Sequence, residues 1–599
     1  MPTAIVTGQP VPGSSLEGDL RSLGFDVRTA ADSAEARNLI AASPADARVA
    51  LVDARFVGHA HALRLGLTDP RFPLSAVPGA VTVQGTARQA LNRALDAQDE
   101  SGGGTAVAVD SLPDRLVTAL DADGTPVHRP ELGSLVAAVP ADPQARNEAR
   151  QAVLAVDEED VRLKSAVKSR DGFFTTFCIS PYSRYLARWC ARRGLTPNQV
   201  TTASLLTALI AAACAATGTR PGFVAAGLLL IASFVLDCTD GQLARYSLQY
   251  STLGAWLDAT FDRAKEYAYY AGLALGAARG GDDVWALALG AMILQTCRHV
   301  VDFSFNEANH DATANTSPTA ALSDKLDSVG WTVWVRRMIV LPIGERWAMI
   351  AVLTAVTTPR ITFYVLLVGC ALAAAYTTAG RVLRSLTRKA SRTDRAALAL
   401  ADLADSGPLA GAPRRLFARG LPGLAVPAVA LLGGVAVVAC SALTGFGGWL
   451  PVAGAVVYVL TSALAVARPL KGSLDWLVPP FFRAAEYGTV LALAARADVR
   501  GALPAAFGLV AAVAYHHYDT VYRIRGDAGA PPAWLVRAIG GQEGRTLLVT
   551  VLAALLTASQ FTVALTVIAV CVALLVLVES IRFWVSAGAP AVHDEGETA

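Results

Sequence analysis

A chain of 599 residues is too long for one domain, and a hydrophobic content of 53% is higher than that of an ordinary soluble protein. The formal net charge of +2 creates no overall field that would attract nucleic acid. The eight cysteines are scattered and include no CxxC pair, which excludes a zinc site built on such pairs. These properties predict a protein of the lipid bilayer, mainly α-helical, without a nucleic-acid partner.

Residues 1–160 alternate short β-rich runs with helical patterns, which predicts an α/β domain outside the bilayer. The chain opens without a basic region followed by an apolar core, so we expect its amino terminus to stay in the cytoplasm. The strands are expected at Thr3–Thr7, Val49–Val52 and Ala106–Val109, and two of the helices at Ser15–Leu23 and Ser33–Ala42.

Residues 161–196 are predicted to form helices beside the membrane. Aromatic and arginine side chains recur at helical spacing between Phe173 and Gly194, a pattern that favours an interfacial helix on the cytoplasmic leaflet. A buried helix of the first domain is the alternative that the same pattern allows.

Apolar stretches close to the roughly 20 residues of a spanning helix begin at Pro197. We expect one six-helix membrane domain in 197–385, a polar linker in 386–420 and a second membrane bundle in 421–599. Arginine and lysine residues fall at one side of these spans, which the positive-inside rule makes the cytoplasmic side of the inner membrane. The predicted spans are 199–217, 222–238, 252–277, 283–302, 341–357, 361–380, 421–442, 449–467, 481–496, 502–518, 545–558 and 561–582.

The most informative residues begin at the end of the second predicted span. Asp237, Asp240, Gly241 and Ala244 are spaced i, i+3, i+4 and i+7, so two carboxylates and two small residues share one helix face. The glycine lets a nucleotide approach the backbone, and Arg245 can pair with a phosphate.

The next span repeats this pattern, because Gly254, Asp258 and Asp262 recur every four residues. A short cytoplasmic turn between the two helices would direct four carboxylates at each other. Acidic groups crowded at the ends of apolar helices repel one another and lose hydration, so a cation must compensate them. Ligands that are all oxygen favour Mg²⁺, Mn²⁺ or Ca²⁺ over zinc, and two such ions would neutralise a diphosphate.

These residues have the order and spacing of the signature of the CDP-alcohol phosphatidyltransferase family, D-x2-D-G-x2-A-R-x8-G-x3-D-x3-D, and the chain resembles that family over about 165–390. The resemblance implies a six-helix topology, a CDP-alcohol donor and release of CMP; related enzymes are commonly dimers through their membrane helices. It implies two Mg²⁺ or Mn²⁺ ions held by Asp237, Asp240, Asp258 and Asp262. Asp262 would also remove the proton of the acceptor hydroxyl. The CDP site would comprise Asp237, Gly241, Ala244, Arg245 and Gly254.

A second set of polar residues is a candidate site for the acceptor. Its arginines would suit a phosphate on that acceptor. As alternatives, Arg336 and Arg337 are plain positive-inside anchors, and His299 is a hydrogen-bonded structural residue. The set consists of Lys265, Arg298, His299, Asp302, Arg336 and Arg337.

The segment RAKEY, which begins at Arg263, recurs as RAAEY at Arg483. A duplication would put Val478 and Phe482 where the first half has two of its carboxylates, so the second half is predicted to bind no metal. Chance similarity between two alanine-rich helices is the alternative.

The layout of the chain also resembles bifunctional enzymes that fuse an inositol-phosphate cytidylyltransferase to a di-myo-inositol-phosphate synthase. The Gly-rich basic loop of such nucleotidyltransferases is missing after the first strand. The first domain is therefore interpreted as a degenerate nucleotidyltransferase or another regulatory α/β module. A degenerate receiver domain with Asp53 as its acceptor is the competing interpretation.

The leading hypothesis for function is transfer of a phosphoryl-alcohol group from a CDP-alcohol to an alcohol or an inositol-phosphate-like acceptor. The donor would be CDP-diacylglycerol or a soluble CDP-polyol. The competing hypothesis is a membrane transporter or scaffold with a vestigial CDP-alcohol site.

Overall fold

The computed structural model describes residues 2–100, 111–168, 171–310, 334, 338–387, 391–411, 421 and 423–586. Its contacts divide the chain into two compact units. The first unit comprises 1–169, 182–197 and 239–250. The second comprises 170–181, 198–238 and 251–599.

The first unit contains a five-stranded sheet of apolar, fully buried central strands. Its strands and those of a small second sheet are β1 (Thr3–Thr7), β2 (Asp26–Ala30), β3 (Val49–Asp53), β4 (Val57–Gly58), β5 (Leu74–Val77), β6 (Ala80–Val83) and β7 (Ala137–Ala138). The five-stranded sheet has the order β2-β1-β3-β6-β5, and β4 pairs with β7. The predicted strands β1 and β3 are confirmed, and the predicted strand Ala106–Val109 lies outside the described residues.

The pairing of the strands bears on the receiver interpretation of this unit. Strand β1 pairs in parallel with β2 and β3, whereas β6 is antiparallel to both β3 and β5. A receiver requires a wholly parallel, doubly wound sheet. Asp53 is buried and its carboxylate is bound by Arg55 at 2.9 Å, so it is not an open acceptor. The receiver interpretation is therefore wrong.

Helices surround this sheet and continue to the membrane segment. Their bounds are α1 (Leu16–Ser22), α2 (Ser33–Ala42), α3 (Ala60–Leu67), α4 (Arg88–Glu100), α5 (Leu112–Ala122), α6 (Pro143–Leu154), α7 (Glu158–Ser165) and α8 (Ser180–Arg192). Helix α2 begins and ends as predicted, with Asp32 accepting the backbone N–H of Glu35 as its N-cap. On α8, Tyr182, Tyr185 and Trp189 are exposed while Ala187 is buried, and a location at the membrane interface stays a prediction.

The rest of the described chain is helical. Five of its helices are long and apolar enough to cross a membrane, namely Pro197–Ala216, Arg220–Ser247, Pro359–Thr387, Ala425–Leu443 and Ala558–Ser586. Each of the twelve predicted spans corresponds to one helix, and for the other seven the crossing stays a prediction. The helices are α9 (Pro197–Ala216), α10 (Arg220–Ser247), α11 (Thr252–Arg279), α12 (Trp285–Asn309), α13 (Ile343–Val356), α14 (Pro359–Thr387), α15 (Asp394–Leu403), α16 (Ala425–Leu443), α17 (Leu450–Ala465), α18 (Val478–Ala497), α19 (Ala502–Arg525), α20 (Ala533–Ile539), α21 (Gly541–Leu555) and α22 (Ala558–Ser586).

Candidate metal and substrate site

Helices α10 and α11 present the predicted carboxylates on either side of a short turn. Helix α10 ends at Ser247 and α11 begins at Thr252. Ser251 caps α11, since its side-chain oxygen accepts the backbone N–H of Gly254 at 3.0 Å. The turn thus returns the chain close to the end of α10, as the sequence predicted.

Asp237, Asp240 and Asp258 form what we term the carboxylate cluster. One carboxylate oxygen of each lies within 4.8 Å of the corresponding oxygens of the other two. A divalent cation that binds oxygen at about 2.0–2.6 Å fits between groups at this separation. Asp240 is buried, at 4% exposed, whereas Asp237 and Asp258 are partly buried, so the cluster keeps a side open to solvent. The donor set therefore fits Mg²⁺ or a similar hard cation.

Asp262, the fourth predicted ligand, lies one turn beyond Asp258 and pairs with a lysine. Lys265 Nζ lies 2.8 Å from Asp262 Oδ1, and the same ammonium contacts Asp237 Oδ1 and donates to Ser204 Oγ at 3.2 Å. The Lys265 side chain is 0% exposed. Lys265 was a predicted acceptor contact, but the structure makes it a counter-ion of two carboxylates.

The predicted CDP-site residues have different structural surroundings. A Cβ atom on Gly254 would lie 2.7 Å from Asn198 Oδ1 and 2.8 Å from Ser251 Oγ, so both side chains would have to move to admit it. A Cβ on Gly241 would meet no atom closer than 3.5 Å, which leaves space above that glycine. Arg245 Nε donates to the carbonyl of Ala166 at 2.6 Å. Binding of CDP by these residues and by Ala244 stays a prediction.

The predicted acceptor residues on α12 contact other parts of the protein. Arg298 donates to the backbone carbonyl of Val340, Asp302 pairs with Arg381, and His299 Nδ1 lies 2.6 Å from the hydroxyl of Tyr518. The predicted contacts Arg336 and Arg337 lie outside the described residues. An acceptor role for this set stays a prediction.

A buried ion network beside the cluster was missed by the sequence analysis. Arg263 Nη1 lies 3.0 Å from Glu266 Oε2, and Arg346 Nε lies 3.2 Å from Glu266 Oε1. Tyr270 donates its hydroxyl to the same carboxylate at 2.6 Å. A charged residue within an apolar helix, such as Arg346, could have indicated this network from the sequence. An arginine occurs in such a helix only when it has a partner.

Helices able to cross a membrane, one of which carries two members of the carboxylate cluster, define an integral membrane protein with a candidate site for a hard cation. Residues 194–375 match the family model described as CDP-alcohol phosphatidyltransferase. This segment is therefore a CDP-alcohol phosphatidyltransferase domain. Residues 394–599 match a second model, described as a family of unknown function (DUF5941).

Three curated proteins illustrate the similarity. A phosphatidylinositol phosphate synthase of Streptomyces avermitilis is 34% identical over 131 residues, which are 20% of this chain and 51% of that protein. An archaetidylinositol phosphate synthase of Pyrococcus horikoshii is 30% identical over 113 residues, 19% of this chain and 58% of that protein. A bifunctional IPC transferase and DIPP synthase of Aquifex aeolicus is 31% identical over 114 residues, 19% of this chain and 26% of that protein. The chain thus spans between a quarter and somewhat more than half of these relatives.

Proposed function

We propose that the chain is a metal-dependent phosphotransferase that moves a phosphoryl-alcohol group from a CDP-alcohol to an acceptor hydroxyl and releases CMP. The observation that carries this proposal is the carboxylate cluster of Asp237, Asp240 and Asp258, which lies in the segment that matches the CDP-alcohol phosphatidyltransferase family. A buried group of acids at the ends of apolar helices is costly without a cation, so it is expected to serve chemistry.

In the proposed reaction the acceptor hydroxyl oxygen attacks the β-phosphorus of the CDP-alcohol. A new phosphorus–oxygen bond forms, the bond to the CMP phosphate breaks, and CMP leaves with the electron pair. Asp262 takes the proton of the hydroxyl, and Lys265, 2.8 Å away, holds that carboxylate in place. Two bound Mg²⁺ or Mn²⁺ ions would supply charge neutralisation for the diphosphate.

For the substrates we propose a lipid donor and an inositol-phosphate-class acceptor. Two of the three relatives described above are named as synthases of phosphatidylinositol phosphate or archaetidylinositol phosphate, which supports this choice over a soluble CDP-polyol. A site at the ends of membrane helices is accessible both to a lipid in the bilayer and to a polar acceptor in water. We propose that this face is the cytoplasmic face of the inner membrane and that the amino terminus is cytoplasmic.

The experiment measures CMP release by the purified chain in lipid nanodiscs with Mg²⁺. One arm supplies CDP-diacylglycerol with inositol phosphate, and another supplies CDP-inositol with a lipid alcohol. Asp262→Asn is expected to lower kcat by about 100-fold or more, the usual contribution of a general base. Asp498→Asn is the matched control, because Asp498 is exposed at φ +46°, a conformation that asparagine adopts readily. Full activity of Asp262→Asn would refute the mechanism.

The competing function is a transporter or scaffold in which the site is vestigial. It predicts no CMP release with either donor and no difference between Asp262→Asn and Asp498→Asn. The same nanodisc assay therefore separates the two functions.

A further inference from the structure

The two membrane halves contain the same buried ion pair. In the first half, Arg263 Nη1 donates to Glu266 Oε2 at 3.0 Å on α11. In the second half, Arg483 Nη1 donates to Glu486 Oε2 at 2.9 Å on α18. Both glutamate side chains are at most 3% exposed. Because buried charges are costly unless well partnered, chance similarity of alanine-rich helices does not account for this repetition.

Each of these glutamates receives a second arginine from the fifth long helix of its half. Arg346 Nε on α13 lies 3.2 Å from Glu266 Oε1. Arg545 Nε on α21 lies 2.6 Å from Glu486 Oε1. The Arg–Glu–Arg arrangement is thus the same in both halves.

A glutamate near this arginine also accepts backbone N–H groups in both halves; it directly precedes Arg346 in the first half and stands two residues before Arg545 in the second. Glu345 Oε1 accepts the backbone N–H of Phe174 at 3.2 Å. Glu543 accepts the backbone N–H groups of Gly407 at 3.0 Å and Ala410 at 2.9 Å. Phe174 precedes α9 and Gly407 precedes α16, so each glutamate ties the fifth long helix to the segment that enters its half.

These paired contacts, with the repeated RA(K/A)EY segment and six long helices in each half, indicate two copies of one bundle. We propose that residues 405–586 are a metal-free second copy that acts as a built-in partner subunit, and that its Tyr518, together with His299, positions Arg263, the residue next to Asp262 in the chain. The positioning role rests on the proposed function, whereas the duplication does not.

The alignment of the two copies replaces every carboxylate of the site by an apolar residue. Matching RAKEY with RAAEY puts Val478 and Phe482 at the positions of the two aspartates of α11. The Ala-Arg dipeptide that closes the motif on α10 recurs at 467–468, and it puts Leu460 and Ala463 at the other two positions. Val478, Phe482 and Ala463 are 0% exposed. Hydrocarbon side chains offer no oxygen ligand, so the equivalent four positions of the second copy cannot hold a hard cation.

Tyr518, on α19 of the second copy, contacts the first copy beside its site. The Tyr518 hydroxyl lies 2.6 Å from His299 Nδ1, and the Arg263 guanidinium lies 5.3 Å from the centre of the tyrosine ring. Arg263 Nη1 lies 3.3 Å from the same histidine nitrogen. Since Arg263 directly follows Asp262 in the chain, fixing its side chain restricts the helix turn that carries the proposed base.

Aromatic contacts extend this interface along α12. Trp285 packs edge-on against Phe507 of α19, with ring centroids 5.7 Å apart. Near the other end of α12, Phe305 packs against Trp476 at 5.3 Å. Such apolar packing within one chain is the kind that obligate partners form between two chains.

The test removes the tyrosine hydroxyl and keeps the ring. Tyr518→Phe is expected to lower kcat about fivefold, the equivalent of a hydrogen bond worth roughly 1 kcal/mol, with KM for the CDP-alcohol unchanged. Tyr458→Phe is the matched control, because its hydroxyl bonds Gln542 inside the second copy. It is expected to lower the melting temperature but not kcat. Wild-type kcat for Tyr518→Phe, or an equal loss for Tyr458→Phe, would overturn the positioning role.

A double-mutant cycle with His299→Leu gives a second test of the same contact. The two losses in kcat are expected to be strongly non-additive, because both substitutions break one interaction. Additive losses would overturn the inference. If Asp262→Asn is inactive but Tyr518→Phe is normal, only this inference fails; if Asp262→Asn is active, the proposed function fails.

Two measurements on the whole chain test the second copy without relying on activity. Native mass spectrometry from nanodiscs is expected to show a monomer, and a stable homodimer would contradict a built-in partner. Mn²⁺ binding is expected to vanish when the aspartates of the first copy are replaced by asparagine. Residual stoichiometric binding in that variant would overturn the metal-free assignment.

Discussion

Lys265→Met tests whether a protein cation holds the carboxylates of the site together. The Lys265 ammonium is buried, lies 2.8 Å from Asp262 Oδ1 and also contacts Asp237. Methionine retains an apolar chain of similar length and removes the charge, so two buried carboxylates lose their common counter-ion. Breaking a buried ion pair from one side costs about 3–5 kcal/mol, because the remaining charge is uncompensated. The free energy of unfolding should fall by this amount in EDTA.

Divalent cation is expected to restore part of this loss, because it neutralises the same carboxylates. The stabilisation should grow with the logarithm of Mg²⁺ concentration once the site begins to fill. The assay is the melting temperature in nanodiscs, followed by tryptophan fluorescence, in EDTA and along a Mg²⁺ series. Lys471→Met is the control, since its ion pair with the exposed Asp394 is surrounded by water and contributes little to stability. The reasoning would be refuted if both variants lowered the melting temperature equally, or if the melting temperature of Lys265→Met did not rise with Mg²⁺ concentration.

Three further predictions concern packing and pH. Gly254→Ala is expected to cost about 1 kcal/mol, because the new Cβ would lie 2.8 Å from Ser251 Oγ and displace the side chain that caps α11, whereas Gly241→Ala, with 3.5 Å of clearance, should leave the melting temperature near that of wild type. Burial raises the pKa of Asp402 to about 6, above the pKa of about 3.8 that the side chain has in the unfolded chain. The protonated carboxyl therefore stabilises the fold at low pH, and this stabilisation is lost as the pH rises through 6. Asp402→Asn should therefore raise the melting temperature at pH 7 and flatten its dependence on pH between 4 and 6. Burial, with nearby arginines, lowers the pKa of His61 to about 3, below the pKa of about 6.5 that the side chain has in the unfolded chain. The neutral imidazole therefore stabilises the fold above pH 6.5, and this stabilisation is lost as the pH falls. His61→Leu should make the first unit more resistant to proteolysis at pH 5 than wild type; equal resistance would contradict this.

The helices of the membrane segments could be predicted because their signal is local. An apolar run of about 20 residues bounded by turn residues defines a helix without any knowledge of its neighbours. Helix α9 was expected at 199–217 and is found at Pro197–Ala216. The hairpin of β5 and β6 was not predicted, because its two strands have four residues each and turn at Gly79, φ +80°.

Helical periodicity predicted which residues of the site share a helix face, but not which side chains they contact. Spacing puts Asp258 and Asp262 on one face of α11, but it does not say which side chain each carboxylate meets. The structure brings Asp258 to the carboxylate cluster and pairs Asp262 with Lys265. The pairing of Glu266 with Arg346 could not be predicted from the sequence, because 80 residues separate the partners.

Comparison of the two copies of the bundle distinguishes residues that the fold requires, which occur in both copies, from residues that the site requires, which occur only in the first. The Arg–Glu pair of RAKEY is retained in RAAEY and has the same buried geometry in both halves. Lys265 is not retained; Ala485, 2% exposed, stands at its position. The lysine is therefore absent in the copy that lacks the carboxylates and present in the copy that has them. A lysine needed for packing of the bundle would be required in both halves, so this difference assigns Lys265 to the charge balance of the site.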